Sequence, residues 1–234
     1  MKKILLFFAL VSISYCVSAQ VIRDPNVSLR SAKNFHALDV SNSFTIYLTQ
    51  SDEEKLAVSG ETAEATEGIH AEVRNGTLYI SYAGKGGAIT KNLKAYISFK
   101  QLETINASGN CDIDIVGEWK AGDVAFHLVG ASDMKGSIVA NTLSINLTGA
   151  SDLNLKGKAV QLLLRMSGAT KFKGNELITD YCELKASGAS DVKIYVNKEM
   201  SGQASGASEV RYAGEGVIRD FKTTGVSSIS KIKS

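Results

Sequence analysis

The sequence predicts an all-β protein, a right-handed parallel β-helix of about 19-residue coils with an irregular N-terminal β cap. A four-residue word, most often Gly-Ala-Ser-Asp, recurs through the second half of the 234 residues. The positions around it alternate between apolar and polar residues, which is typical of β-strands. No helical periodicity separates the copies, so a solenoid of short strands is the predicted architecture.

The repeated word begins at seven corner glycines, each of which can take a positive φ without steric cost. They are Gly109, Gly130, Gly149, Gly168, Gly188, Gly206 and Gly225. The intervals between them are 21, 19, 19, 20, 18 and 19 residues, and a fixed period near 20 residues indicates a solenoid. The consensus frames of leucine-rich repeats and of calcium-binding nonapeptide repeats are absent.

The aligned copies keep one polarity in each column. Four residues before the glycine stand Ile105, Phe126, Ile145, Leu164, Leu184, Gly202 and Phe221. One residue later the column is polar: Asn106, His127, Asn146, Arg165, Lys185, Gln203 and Lys222. Each copy is therefore predicted to hold two short strands separated by the corner, with one side of each strand buried.

The chain divides into three segments that lead from export signal to regular solenoid. We expect a signal peptide over residues 1–19, degenerate coils and a β cap over 20–100, and regular coils over 101–234, with 20–234 as one continuous domain.

The segment before the regular coils is strand-like. Residues 37–48 resemble a coil with Asn42 at its corner, and residues 72–81 predict a hairpin around Asn75 and Gly76. Residues 62–68 are predicted to form a short helix or loop. Such atypical ends are expected because an end coil exposes unpaired strand edges.

The N-terminus has the pattern of a secretory signal peptide, with two lysines, an apolar run to about Tyr15, and cleavage expected between Ala19 and Gln20. The apolar run is shorter than the roughly 20 residues of a membrane span. Lipidation of Cys16 is a second alternative, although Tyr15 precedes it where lipoproteins have a small residue. The sequence predicts an exported protein and leaves open the periplasm, the outer-membrane surface and the extracellular space.

Charge and cysteine content argue against nucleic-acid binding, a disulfide and a metal site. The formal charge is +2, and loss of Lys2 and Lys3 with the signal peptide leaves 24 basic and 24 acidic residues. A mature chain with equal numbers of basic and acidic residues lacks the excess of basic charge that binds nucleic acid. Cys111 and Cys182 fall in different columns, so we expect two free thiols, and no spacing predicts a metal site or a cofactor.

The signal peptide ending in Val-Ser-Ala-Gln, the degenerate strand block and the stacked Ser-Gly-Ala-Ser-Asp words together resemble the head GIN domain family, secreted auto-transporter adhesin-like proteins of Gram-negative bacteria. The resemblance covers roughly residues 30 to 230. It implies a right-handed β-helix in the cell envelope or outside the cell. The adhesin label rests on analogy of fold.

An acidic column follows the corners and is the strongest candidate for a ligand or cation face. Its members are Asp112, Asp133, Asp152, Asp191 and Glu209, with Lys171 interrupting the series. Three interpretations are open: acids that cap their own turns, a cation or glycan site, and paired carboxylates of a glycosidase.

Other chemistry-bearing residues favour structural roles. The histidines His36, His70 and His127 are scattered, and His127 is expected on the surface because its column is polar in the other copies. The corner serines are expected to form a hydroxyl ladder. Trp119 is expected to pack over a loop, with sugar stacking as the alternative.

We therefore predict a non-catalytic binding or adhesive module whose partner is a surface glycan or a protein. Two alternatives stay open. One is a carbohydrate-active β-helix enzyme, and the other is a structural envelope protein that assembles through its coil ends as a homo-oligomer.

Overall fold

A computed structural model describes residues 24, 26–84 and 92–232. The expected signal peptide, its cleavage site between Ala19 and Gln20, and Cys16 lie outside the described residues. Within these residues, one short helix and a single sheet of 17 strands make up the fold. In chain order they are β1 (Ser28–Arg30), β2 (Ala37–Asn42), β3 (Thr45–Gln50), β4 (Lys55–Ser59), α1 (Ala63–Glu67), β5 (Ile69–Arg74), β6 (Thr77–Tyr82), β7 (Lys94–Phe99), β8 (Thr104–Gly109), β9 (Asp112–Lys120), β10 (Asp123–Gly130), β11 (Asp133–Gly149), β12 (Asp152–Gly168), β13 (Lys171–Gly188), β14 (Asp191–Ala204), β15 (Glu209–Ala213), β16 (Val217–Thr223) and β17 (Ser228–Lys231).

The predicted β-solenoid is confirmed. β11, β12 and β13 stack in parallel, with Leu143 opposite Leu162 and Leu162 opposite Cys182. Along β12 the buried and exposed positions alternate, so Leu162 and Leu164 face the interior while Arg165 faces water. Because of this alternation, one side of the stacked strands lies in a continuous apolar core. Burial of that core is the main contribution to the stability of the fold.

Two faces of the solenoid meet at the corner glycines. We call the strand segments that lead up to each corner the pre-corner face; it contains β2, β6, β8, β10, β16 and the second halves of β11 to β14. We call the segments that follow each corner the post-corner face; it contains β3, β7, β15, β17 and the first parts of β9 and β11 to β14.

The corner itself is built from a glycine and a buried hydroxyl. The seven corner glycines have φ between 75° and 103°. Ser190 is 2% exposed, and its hydroxyl donates to the carbonyl oxygen of Ser187 at 2.9 Å. Cys111 occupies the same position in its coil, and its thiol contacts the carbonyl oxygen of Ser108 at 3.5 Å. The expected hydroxyl ladder is thus present and satisfies backbone groups at the turn.

The N-terminal coil lies between two later coils. β2 pairs in parallel with both β6 and β8, and β3 pairs with both β7 and β9. The predicted corner at Asn42 is confirmed, since Asn42 has φ 81° and stands opposite Gly109. β6 and β7 therefore form an outer coil that the chain adds after β2 and β3 and before it returns to build the regular stack.

Antiparallel strands close this end of the stack. β4 pairs with β7, and β1 pairs with β4. β5 and β6 form the predicted hairpin, with Arg74 opposite Thr77. The short helix expected near residues 62–68 is α1, which begins after Thr62, whose hydroxyl accepts from the backbone N–H of Ala65 at 3.1 Å.

The last described coil is more open. β16 and β17 are mostly exposed, and each pairs with the preceding coil, at β14 and β15. Lys222 and Lys231 are exposed on these strands, whereas Lys233 lies outside the described residues.

Trp119 belongs to the core. It is 1% exposed and packs edge-on against Phe99 with ring centroids 5.2 Å apart. It lies on β9 and not over a loop, so the expected loop packing is wrong, and sugar stacking by this ring is excluded.

Both described cysteines are free, as predicted, and both are buried. Burial raises the pKa of Cys182 to about 12, so its thiol is protonated at neutral pH. No described helix has the length and apolar character of a membrane span.

Candidate binding groove

The acidic column runs down the post-corner face in strict register. Asp133 stands opposite Asp112 on one side and Asp152 on the other. Lys171 follows Asp152, and Asp191 and Glu209 continue the column beyond it. Neighbouring strands lie about 4.8 Å apart, so the first three carboxylates form one row of closely spaced acceptors.

Lysines lie beside acids within two neighbouring columns of this face. In the acidic column the ammonium of Lys171 lies 3.9 Å from Asp152, and in the column two residues further along Lys135 contacts Asp114 at 3.3 Å. These pairs are exposed and contribute little to stability. They place donors and acceptors side by side on the surface.

The two distal acids are held by one arginine. Arg211 donates to Asp191 at 2.7 Å and lies 3.5 Å from Glu209. The hydrogen bond to Asp191 raises the pKa of Arg211. Asp191 and Glu209 are therefore engaged in an ion-pair cluster, whereas Asp112, Asp133 and Asp152 line an open groove.

The interpretation of the acids as caps of their own turns is wrong for Asp133. Its carboxylate accepts from the backbone N–H of Asp152 in the next coil at 3.2 Å. The local hydrogen bonds of the corners come instead from the buried hydroxyls, as at Ser208, which donates to the carbonyl oxygen of Ser205 at 2.8 Å.

The groove on the post-corner face has a volume of about 400 Å³. Its lining consists of outward charged, polar and tyrosine side chains, together with three apolar residues whose side chains are buried in the core: Thr45, Tyr47, Asp112, Ile113, Asp114, Asp133, Met134, Lys135, Asp152, Leu153, Asn154, Lys171 and Lys173. Polar groups that converge on a concave surface are a feature of ligand sites.

Tyr47 provides an aromatic side chain at one end of the groove. Its ring stacks on Tyr96 with centroids 5.0 Å apart and planes 9° from parallel. The Tyr96 hydroxyl donates to Asp24 at 2.5 Å, and Lys94 donates to the same carboxylate at 3.0 Å. The aromatic pair is thereby tied to the segment before β1, which holds Tyr47 in one place.

The groove lining contains carboxylates, ammonium groups, an amide and two hydroxyl-bearing side chains, and it contains no histidine or cysteine. His127 lies exposed on the pre-corner face, as predicted, and His36 and His70 are exposed near the N-terminal end. Across the described ranges, no group of three or more His, Cys, Asp or Glu residues is placed to hold a metal ion.

Sequence reasoning identified the acids of this groove and missed the column beside them. Tyr47, Lys135 and Asn154 were not singled out because their column varies in residue type from coil to coil. The strand alternation could have identified these residues, because residues two positions apart on a strand lie on the same face, here the face of the acids.

The chain was compared with known proteins. A family model described as "Putative auto-transporter adhesin, head GIN domain" matches residues 34–216, well over half of the chain. No curated protein matches the sequence.

Several crystal structures share the fold. One described as a "putative adhesin" from Bacteroides fragilis NCTC 9343 gives a TM-score of 0.80 at 22% identity, covering 88% of this chain and 96% of that chain. A "Putative lipid binding protein" from Parabacteroides distasonis ATCC 8503 gives 0.67 at 16% identity, covering 90% and 97%. A "putative adhesin" from Parabacteroides merdae ATCC 43184 gives 0.64 at 14% identity, covering 88% and 95%. At these identities the likeness concerns the fold.

Proposed function

The chain belongs to the head GIN domain family, and on that premise we propose that it is a non-catalytic binding module of the cell envelope or cell exterior. The observation that carries the proposal is the groove on the post-corner face. Its carboxylates, ammonium groups and amide project from stacked strands, and sites built on rigid strands hold their side chains in place.

The residues of the groove support binding rather than turnover. A glycosidase needs one carboxylic acid and one carboxylate in distinct environments. Asp112, Asp133 and Asp152 instead hold equivalent surface positions, each on the strand that follows a corner. The corner serines Ser132, Ser151, Ser190 and Ser208 are buried and bonded to backbone carbonyls, so they are not available as nucleophiles.

A lipid ligand, suggested by the name of the Parabacteroides distasonis neighbour, is disfavoured by the packing inside the coils. Phe126, Leu143 and Leu164 are fully buried and fill the interior, so a ligand has access to the outer faces. The outer groove is lined mainly by charged and polar side chains, which suit a hydrogen-bonding ligand.

A binding experiment with charge-matched variants tests the proposal. The mature chain, residues 20–234, is assayed against arrayed glycans and extracellular-matrix proteins. Replacing Asp133 and Asp152 by Asn is expected to weaken binding of its ligand about tenfold, because two charged acceptors are lost. The control replaces His127 and Asn146 on the pre-corner face by Lys, which shifts the net charge by the same two units and is expected to leave binding unchanged. Equal effects of the two variants would refute the groove as the site.

Catalysis is tested on the bound ligand itself. Mass spectrometry after prolonged incubation is expected to show the ligand intact. Cleavage that disappears in Asp152→Asn would instead support the carbohydrate-active enzyme.

Export is part of the proposal and is supported by the signal-peptide pattern and by the adhesin description of the family. Protease treatment of intact cells, with a periplasmic marker as control, separates the two envelope locations. Digestion on intact cells would place the domain on the surface, and protection until lysis would place it in the periplasm and remove the adhesive role.

A further inference from the structure

Coil length shapes a second depression beside the groove. The coil from Gly109 to Gly130 has 21 residues and the coil from Gly168 to Gly188 has 20, while the two coils between them have 19.

Both insertions fall at the same place, the far edge of the post-corner face. On β9 the three residues Ile115, Val116 and Gly117 stand opposite the single Gly136 of β11. On β13 the two residues Gly174 and Asn175 stand opposite the single Leu155 of β12. Extra residues in a strand bulge outward, so two ridges flank the shorter coils between them.

The space between the ridges is a depression of about 580 Å³, which we call the saddle. Its lining is Asp114, Ile115, Gly117, Glu118, Lys135, Gly136, Ser137, Asn154, Lys156 and Glu176. Asp114, Lys135 and Asn154 also line the first groove. The two depressions are therefore continuous and cross the width of the post-corner face.

We propose that this continuous groove binds an uncharged oligosaccharide, an inference that rests on the proposed binding function. The two linings together contain six carboxylates and four ammonium groups, so the surface is close to neutral and slightly acidic. A polyanion meets repulsion from this excess of acids. Sugar hydroxyls both donate and accept, and they match a surface where carboxylates accept, lysines donate and Asn154 does both.

The size of the groove agrees with this ligand class. From Asp133 to Ser137 the strand spans about 13 Å, at ~3.3 Å per residue. From β9 to β13 the stack spans about 14 Å, at ~4.8 Å per coil. An area of this extent accommodates several linked rings, while the ridges at Gly117 and Glu176 limit the ligand along the solenoid axis.

The test places a large side chain in the saddle and leaves the buried core residues unchanged. Ser137 faces the saddle from β11, and Ser144 faces outward from the same strand on the pre-corner face. Ser137→Tyr and Ser144→Tyr are therefore a matched pair. A third variant deletes Val116 and Gly117, which shortens that coil to the 19 residues of its neighbours and removes one ridge.

Binding of the mature chain is measured to cellohexaose, chitohexaose, mannohexaose and maltohexaose, and in parallel to polygalacturonate, dextran sulfate and fibronectin. We expect at least one neutral hexasaccharide to bind, and Ser137→Tyr and the deletion to weaken it about tenfold or more, with Ser144→Tyr within about twofold. Binding is expected to change little between about 0.05 and 0.5 M salt, since an uncharged ligand is not screened.

The outcomes separate this inference from the proposed function. If a polyanion or fibronectin binds and Ser137→Tyr weakens that binding, while no neutral glycan binds, the neutral-glycan inference is overturned. The proposed binding module then still stands. Binding of any probe that is equally sensitive to Ser137→Tyr and Ser144→Tyr, or no binding at all, overturns both. Folding of each variant is checked by its thermal transition.

Discussion

A methyl group added at Gly149 would lie 2.5 Å from the carbonyl oxygen of Gly130 in the preceding coil. Gly149 also has φ 95°, a conformation that other residues adopt at a cost of about 1–3 kcal/mol. The corner glycine is thus required twice, by its own backbone and by the coil before it. This explains why the word keeps its glycine in all seven copies.

Gly149→Ala is predicted to lower the free energy of unfolding by at least about 2 kcal/mol, because strain and collision add. Gly122→Ala is the control, since a Cβ there meets no atom within 4 Å. Chemical denaturation of both variants measures the difference. A loss at Gly149 no larger than at Gly122 would contradict the steric account of the corner.

Acidification is predicted to release the contact of Asp24. The Tyr96 hydroxyl, followed by Lys94, holds the pKa of Asp24 below its ordinary value. A lowered folded-state pKa stabilises the protein above the unfolded pKa of about 3.9, and the stabilisation is lost as pH falls through the folded value.

Asp24→Asn should therefore reduce stability by about 1–2 kcal/mol at pH 7, and the difference should shrink as pH falls below about 3.9 and through the lowered folded-state pKa. Tyr96→Phe should act in the same direction. Tyr79→Phe, which removes a hydroxyl outside this contact, is the control. A pH-independent effect of Asp24→Asn in denaturation experiments would show that the carboxylate charge is not involved.

At the scale of the element, the corner hydroxyls link one coil to the next. Thr170 and Ser190 lie 3.1 Å apart across two coils, and Ser190 also donates to the carbonyl oxygen of Ser187. Buried polar groups of this kind stabilise when bonded and cost free energy when a partner is lost.

Ser190→Ala is predicted to destabilise the protein by about 1–2 kcal/mol, since it leaves the carbonyl of Ser187 and the hydroxyl of Thr170 without this partner. Ser144→Ala, on an outward position, should change stability by less than about 0.5 kcal/mol. Thermal unfolding compares the two. The hydroxyl ladder would be irrelevant to stability if the two substitutions had the same effect.

Sequence reasoning located the regular coils because each copy meets the same steric demand at its glycine and the same burial at its strands. It did not predict that β6 and β7 lie outside β2 and β3. Several strands share one alternating pattern, so alternation alone does not select which of them pair. Nor did it predict the saddle, although the 21- and 20-residue intervals that form it were visible. The register that places both insertions at one edge comes from the stacked structure.

For the whole molecule, the two ends of the stack differ. The N-terminal end is covered by antiparallel strands, whereas β16 and β17 are mostly exposed and pair with the preceding coil. In a solenoid each coil is stabilised mainly by its neighbours, so a coil with one neighbour opens more readily.

Hydrogen exchange is predicted to be fastest in β16 and β17 and slowest in β12, which is paired on both sides along its length. Mass spectrometry of peptides from residues 217–231 and 152–168 measures both. Equal protection of the two regions would mean that another molecule covers the last described coil in solution. That result is expected if the protein is a structural envelope protein that assembles through its coil ends.

The central claim is that the post-corner face holds the ligand. Backbone amide chemical shifts of the mature chain, recorded with and without the ligand identified by the binding array, test it most directly. The account predicts perturbations confined to β9, to the first parts of β11, β12 and β13, and to the neighbourhood of Tyr47. Perturbations concentrated on the pre-corner face or on β16 and β17 would contradict it.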